Sequence, residues 1–398
     1  MLTQCLKIEN FRKFFIADLF SCFAIGLLTV ATGWYLLSTT GSVMYIGFMT
    51  TLKVIAGFVA TLFIGQIVDR YDRRKVLYTA SLIRVFALVF VAFILWHFGF
   101  SIPLILGLAM FNGIGWTVYN ASSRAFIQEL IPKEQLLNAN TLSEISLQGG
   151  MLMSGVAAGL ILTYTTFLTV LLIYMGLFLL SGILIFNIQH PSATIQSKKE
   201  GEGFFQLARL GIRYLTRHPR LFLFGIVSII PVAVTNFYNV VLPSYVADVV
   251  GADSFVFGIA DMFYGVGGLL AGYFIAGLSK KLSQNQIIKV CFLFSTLNLI
   301  MLFKNETALL LFFGSAVFGM VHSGVRIAMN TTLMEKVEPA YMGRATAVWT
   351  GISLILQAVG ASSLGLLMEA THGGFGWALM AAMMLIGLMS TSFLLKNS

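Results

Sequence analysis

Charge is scarce in this sequence: Asp, Glu, Lys and Arg make up only 10% of its 398 residues, while 58% are hydrophobic. With a mean hydropathy of +0.88, the chain has too little polar surface to face water as a globule, so its main solvent must be lipid. Cysteine is scarcer still. Cys5, Cys22 and Cys291 stand far apart and suggest neither a disulfide framework nor a metal site. No GxSxG, HExxH, CxxC or phosphate-cradling P-loop occurs, which removes the usual grounds for an intramembrane protease, a metalloenzyme or an ATP-driven pump. The chain reads as a non-enzyme without a cofactor. No small-residue cleavage site interrupts the end of the first apolar run, so that run reads as a retained span and not as a signal peptide.

What the sequence does have is long apolar runs, at 14–37, 44–65, 76–98, 102–122, 141–162 and 167–186, then at 221–246, 255–278, 287–303, 307–329, 345–368 and 374–395. Each is long enough for a membrane helix, and none shows the ten-residue in/out alternation of a membrane barrel. The predicted fold is an all-α membrane protein of twelve transmembrane helices. It divides into an N-terminal six-helix bundle over 1–187, a cytoplasmic linker over 188–220, and a C-terminal six-helix bundle over 221–398. Within the linker, FFQLARLGIRYL at 204–215 has amphipathic spacing and is expected to lie on the inner membrane surface.

The net charge of +9 is explained by where the basic residues fall. All of the 25 Lys and Arg except Lys53, Arg84 and Lys304 lie at the termini, in alternate connections, in the linker or at adjoining helix ends. By the positive-inside rule those regions and both termini face the cytosol. The positive balance is thus an orientation signal with some attraction to anionic membrane lipid, and nucleic acid is not an expected partner.

The two halves also resemble each other. An offset of 206 residues lays Gly113 on Gly319, Glu129 on Glu335 and Ala139 on Ala345, and a nearly equal one lays Gly65 on Gly272. Parallel repeats of six helices suggest bundles that rock about a shared cavity, which is a transport architecture.

The turn between the second and third runs reads GQIVDRYDRRK at 65–75. It resembles the signature loop of the major facilitator superfamily, and within it the drug-exporter subgroup of macrolide efflux proteins and the enterobactin exporter. TGSVMYIGF at 40–48, RAFIQELIPKEQLLNAN at 124–140, RYLTRHPRL at 213–221, LPSYVADVVG at 242–251 and GRATAV at 343–348 extend the resemblance over nearly the whole chain. Two departures stand out. Asp72 replaces the second glycine of the loop, and Gly155 to Leu160 lacks the proline of the exporters' GPxxGG element. The resemblance implies a cytoplasmic gate formed by Gly65, Asp69, Arg70, Arg73 and Arg74. Physically, Gly65 allows close helix contact and Asp69 can pair with an arginine or cap a helix, while Arg73 and Arg74 also serve as a positive-inside anchor.

A charge at mid-membrane costs at least about 2.5 kcal/mol, so each one needs a partner or a function. Asp261 is the first proton-coupling candidate, with a salt bridge or hydrogen bond as its structural alternative. Asp18 and Glu144 follow. Arg84 and Arg326 read as structural charges that pair with carboxylates or reach headgroups. The resemblance puts a cavity between the first, fourth, seventh and tenth helices. Candidates for its wall are Trp34, Lys53, Asn112, Trp116, Tyr119, Asn120, Asn236, Tyr238, Asn239, Tyr264, His322, Trp349 and Gln357, since aromatic walls with sparse amides suit amphiphilic ligands. His322 is either such a group or a hydrogen-bonded structural one.

The implied activity is proton-driven export of an amphiphilic small organic molecule, such as a lipophilic drug or a siderophore, by a monomer using alternating access. Import of a siderophore, transport of a lipid or lysolipid, or a non-transporting sensor are the alternatives.

Overall fold

A computed structural model describes residues 5–132, 135–189, 204–338 and 341–394. Among them there are helices and no strand: α1 (Glu9–Thr40), α2 (Val43–Arg70), α3 (Arg73–Phe98), α4 (Ile102–Leu130), α5 (Leu136–Tyr164), α6 (Phe167–Phe186), α7 (Phe204–Arg217), α8 (Pro219–Ser244), α9 (Ser254–Leu278), α10 (Gln284–Phe303), α11 (Ala308–Lys336), α12 (Met342–Ala370) and α13 (Phe375–Leu394). All but α7 are long and apolar enough to cross a membrane, twelve in number, as the hydropathy of the sequence requires. Several run well past their apolar segments. α4 continues to Leu130 and α11 to Lys336, because backbone hydrogen bonding does not stop where lipid stops.

Local chemistry sets the helix ends. Asp72 accepts from the backbone N–H groups of Arg74 (2.9 Å) and Lys75 (3.3 Å) and so caps α3, which gives the departure from the loop glycine a physical purpose. Asp253 caps α9 in the same way, and Ser283 with Gln286 forms a capping box on α10. Gly41 and Gly251 take positive φ in the connections before α2 and α9, a conformation open to glycine at no steric cost.

Helix contacts divide the chain into two compact units, one of Met1–Thr40 and Leu52–Gly201, the other of Gly41–Thr51 and Glu202–Ser398. In the first, α1 packs on α4, α5 and α6, and α3 on α4 and α6. In the second, α8 packs on α11, α12 and α13, and α10 on α11 and α13. One list becomes the other when each helix is replaced by its counterpart in the other half. The tightest crossings repeat as well. A methyl at Gly113 of α4 would overlap the carbonyl oxygen of Lys53 on α2, and one at Gly319 of α11 would overlap that of Tyr264 on α9. Lipid tails provide no hydrophobic drive between helices, so such close approach through small residues is what holds each unit together.

The first unit centres on Phe11, Phe14, Leu77, Phe126 and Ile185, with Phe14 edge-on to Phe126 at 5.7 Å. The second centres on Trp377, Tyr238, Tyr245, Phe292 and Phe318. Residues Gly41–Thr51 join this second unit through α12: Glu369 accepts from the N–H of Val43 at 2.8 Å, and Thr51 donates to Ala358 O at 2.6 Å.

Arg73 ties α3 to α4, pairing with Glu129 at 3.0 Å and donating to Ala125 O. Arg74 donates to Ile188 O. Gly65, Asp69 and Arg70 lie on α2, but their surroundings fall outside the described residues. Arg84 is buried; it donates to Tyr174 Oη at 3.3 Å and stands 4.5 Å from the Phe178 ring centroid, while Arg326 is exposed. The amphipathic α7 does not give its whole apolar side to lipid. Tyr214 and Leu215 are buried, and Tyr214 stacks on Tyr341 beside the start of α12 at 4.4 Å.

Candidate functional site

The first unit contains a cavity of about 400 Å³ walled by α1, α4 and α5. Asp18 lies at its edge, on α1 and only 2% exposed. Its carboxylate is held on two sides: Tyr119 Oη of α4 donates to Oδ1 at 2.6 Å, and Ser143 Oγ of α5 donates to Oδ2 at 3.0 Å. Cys22, one turn along α1, faces the same oxygen as Tyr119, its Sγ 3.9 Å from Oδ1. A buried carboxylate needs such donors, since each polar group removed from water must regain its hydrogen bonds.

The rest of the wall is amphiphilic. Trp116 contributes an aromatic surface, Asn120 and Asn140 amides, and Glu144 a second carboxylate. Glu144 is exposed and accepts from Gln148 at 2.9 Å, and Asn120 accepts from Arg124 at 3.0 Å. A planar organic ligand could stack on Trp116, hydrogen-bond to the amides and find a proton-accepting oxygen within one chamber.

Lys53 and Asn112 form a second polar group in this unit. Lys53 Nζ donates to Thr29 Oγ1 at 3.2 Å, and the Asn112 amide donates to the same oxygen at 3.3 Å. The Thr29 hydroxyl in turn donates a hydrogen bond to Ile25 O at 2.8 Å. Gly113, next to Asn112, lets α4 approach the backbone of Lys53 closely.

In the second unit, Asn236 of α8 donates to Gln357 Oε1 of α12 at 2.6 Å, and Gln357 donates to Ser353 at 2.7 Å. His322 Nε2 stands 2.8 Å from Thr235 Oγ1, and its ring is fully buried. Tyr238 is likewise buried; it donates to Ser315 at 3.2 Å and stacks on Tyr264 at 4.6 Å. Asp261 lies on α9 one turn before Tyr264, half-buried, with no hydrogen bond or ion pair among the described residues.

Five of the residues singled out in the sequence, Asp18, Trp116, Tyr119, Asn120 and Glu144, thus share one cavity. Lys53 meets Asn112, Asn236 meets Gln357, and Tyr238 meets Tyr264. Trp349 packs over Gly225 of α8, Asn239 donates to Thr235 O within its own helix, and Trp34 is half-buried on α1. Sequence reasoning missed Cys22, Ser143, Asn140, Thr29, Thr235 and Ser353. Small hydroxyls in membrane helices commonly bond their own backbone, so their residue type alone does not mark them. Cys22 and Ser143 were accessible through the one-turn spacing from Asp18 and the adjacency to Glu144.

The sequence profile of the Major Facilitator Superfamily matches residues 14–361. Macrolide efflux protein A of Streptococcus pyogenes is 22% identical over 353 residues, covering 85% of this chain and 86% of that protein. The uncharacterized MFS-type transporter YkuC of Bacillus subtilis (strain 168) is 25% identical over 381 residues, covering 89% and 84%. Among solved structures, the nucleoside transporter NupG has the same fold, with a TM-score of 0.79 at 15% identity over 98% of this chain and 99% of that one. A match that runs from the first span into the eleventh of twelve, on a fold whose helix contacts repeat in both units, means that the chain belongs to the major facilitator superfamily.

Proposed function

We propose that this multi-pass membrane transporter exports an amphiphilic small organic molecule in exchange for protons. In this reading the halves 1–187 and 221–398, joined by 188–220, expose a binding site alternately to each side of the cytoplasmic membrane, with both termini in the cytosol. Export is favoured by the likeness to macrolide efflux protein A. The observation that carries the reading is the buried carboxylate of Asp18, held by Tyr119 and Ser143 at the wall of an amphiphilic cavity. A carboxyl group there can take a proton from water in the cavity and return it later. Asp261 and Glu144 are secondary proton carriers, and Trp116, Tyr119 and Asn120 contact the ligand.

The test is transport in proteoliposomes carrying an imposed pH gradient, with a radiolabelled macrolide, a ferric catecholate siderophore and a lysolipid as probes. Gradient-dependent accumulation of one of them is expected, falling tenfold or more in Asp18→Asn while equilibrium binding of the probe is retained. Undiminished gradient-driven accumulation in that variant removes Asp18 from the coupling. Uptake that responds equally with the gradient reversed or absent removes proton exchange itself.

A further inference from the structure

The second unit has a cavity of its own, of about 430 Å³, where α7 hands over to α8 beside the ends of α11 and α13. Its two kinds of wall differ sharply. Leu221, Phe224 and Leu394 provide an apolar floor, and Arg217, Arg220 and Lys336 a basic rim. All three basic residues are exposed, and the Lys336 ammonium stands 5.9 Å from the centroid of the Phe224 ring below it. His218, also at the rim, is turned toward its own helix, with Nδ1 3.1 Å from Tyr214 O.

Among the described residues, no carboxylate lines this cavity. Glu335 and Glu338, which flank Lys336 in sequence, are exposed and outside the lining, and among the described residues none of the three cations forms an ion pair. Three like charges around one trough repel unless an anion sits among them. The position narrows the choice of anion. α8 starts and α11 and α13 finish here, so the cavity marks the boundary between apolar span and water. A free phosphate would engage the rim and leave Leu221 and Leu394 without purpose, whereas a phospholipid uses both walls.

We propose that this cavity binds an anionic phospholipid of the surrounding bilayer. Its phosphate is held by Arg217, Arg220 and Lys336, and the first methylenes of one acyl chain lie on Leu221, Phe224 and Leu394. The site is separate from the Asp18 cavity, and its occupancy does not depend on which molecule is transported.

Native mass spectrometry of the full chain, titrated with phosphatidylglycerol or phosphatidylcholine of matched acyl chains, tests this directly. Each basic residue at a membrane surface is worth about a fivefold preference for anionic lipid, so the wild type should favour phosphatidylglycerol on the order of a hundredfold at this site. The variant R217Q/R220Q/K336Q should lose that preference, and Lys289→Gln, a basic residue on α10, should keep it. In the wild type, a photoactivatable phosphatidylglycerol should label peptides spanning 217–224 or containing Lys336, a result that needs no variant to fold. Equal retention of the two lipids, an undiminished preference in the triple variant, labelling confined to other peptides, or displacement of phosphatidylglycerol by millimolar inorganic phosphate would each overturn the proposal.

Discussion

Replacing Gly113 by alanine puts the helix crossing at the centre of the first unit to the test. The added methyl would overlap the carbonyl oxygen of Lys53 and lie 3.0 Å from its carbonyl carbon and 3.2 Å from its Cα. Carbon pairs rest at about 3.5–4.0 Å, so α2 and α4 must part by roughly 0.5–1 Å. The obstacle is helix backbone and cannot rotate aside. Overpacking of this kind costs about 1–3 kcal/mol. Alanine also gains about 1 kcal/mol over glycine in a helix, and that gain has to be subtracted. Gly107, on the same helix, supplies the subtraction, because a methyl there meets nothing within 4 Å. Gly107→Ala keeps the propensity gain without the clash, so the difference between the two variants isolates the clash. Thermal unfolding in one detergent, at one scan rate, should place Gly113→Ala below Gly107→Ala by on the order of 2–4 °C. Gly319→Ala should fall with Gly113→Ala, since its methyl would lie 2.9 Å from the Tyr264 carbonyl carbon and 3.1 Å from Gly268 N. If Gly113→Ala melts at or above Gly107→Ala, the tight crossing and the repeat built on it are refuted.

Two further variants probe polar contacts inside the units. The Arg73–Glu129 pair joins side chains that are 19% and 16% exposed, so a double-mutant cycle with Arg73→Gln and Glu129→Gln should give a coupling of about 1 kcal/mol in thermal stability; strict additivity would make the two residues independent anchors. Thr235→Val removes the partner of the buried His322 Nε2, whose ring has no partner at Nδ1 among the described residues. A loss of about 1–3 kcal/mol is expected, with recovery in Thr235→Ser, and equal stability of both variants would mean that the hydroxyl contact carries nothing.

Much of the fold follows from residue order alone. Whether 18 or more consecutive residues can face lipid depends on their own side chains, so the twelve spans could be read before any tertiary contact was known. The correspondence of Gly113 with Gly319 belongs to the same class, because an offset is read from residue order, whereas the caps at Asp72 and Asp253 show only in the backbone geometry. Which polar side chains meet is another matter. Asp18 and Asp261 look alike in sequence, each a lone carboxylate in an apolar run, yet Asp18 is held by two hydroxyls from other helices and Asp261 by none among the described residues. Trp116 and Trp349 look alike too, but one lines a cavity and the other fills the space above Gly225. The amphipathic α7 turns Tyr214 and Leu215 onto α12, a partner more than a hundred residues away along the chain, and its rim residue Arg217 meets Lys336 only across the end of α11. Burial against lipid is a property of a segment, while hydrogen bonding and cavity lining depend on the rotation of one helix against another, and only tertiary packing sets that angle.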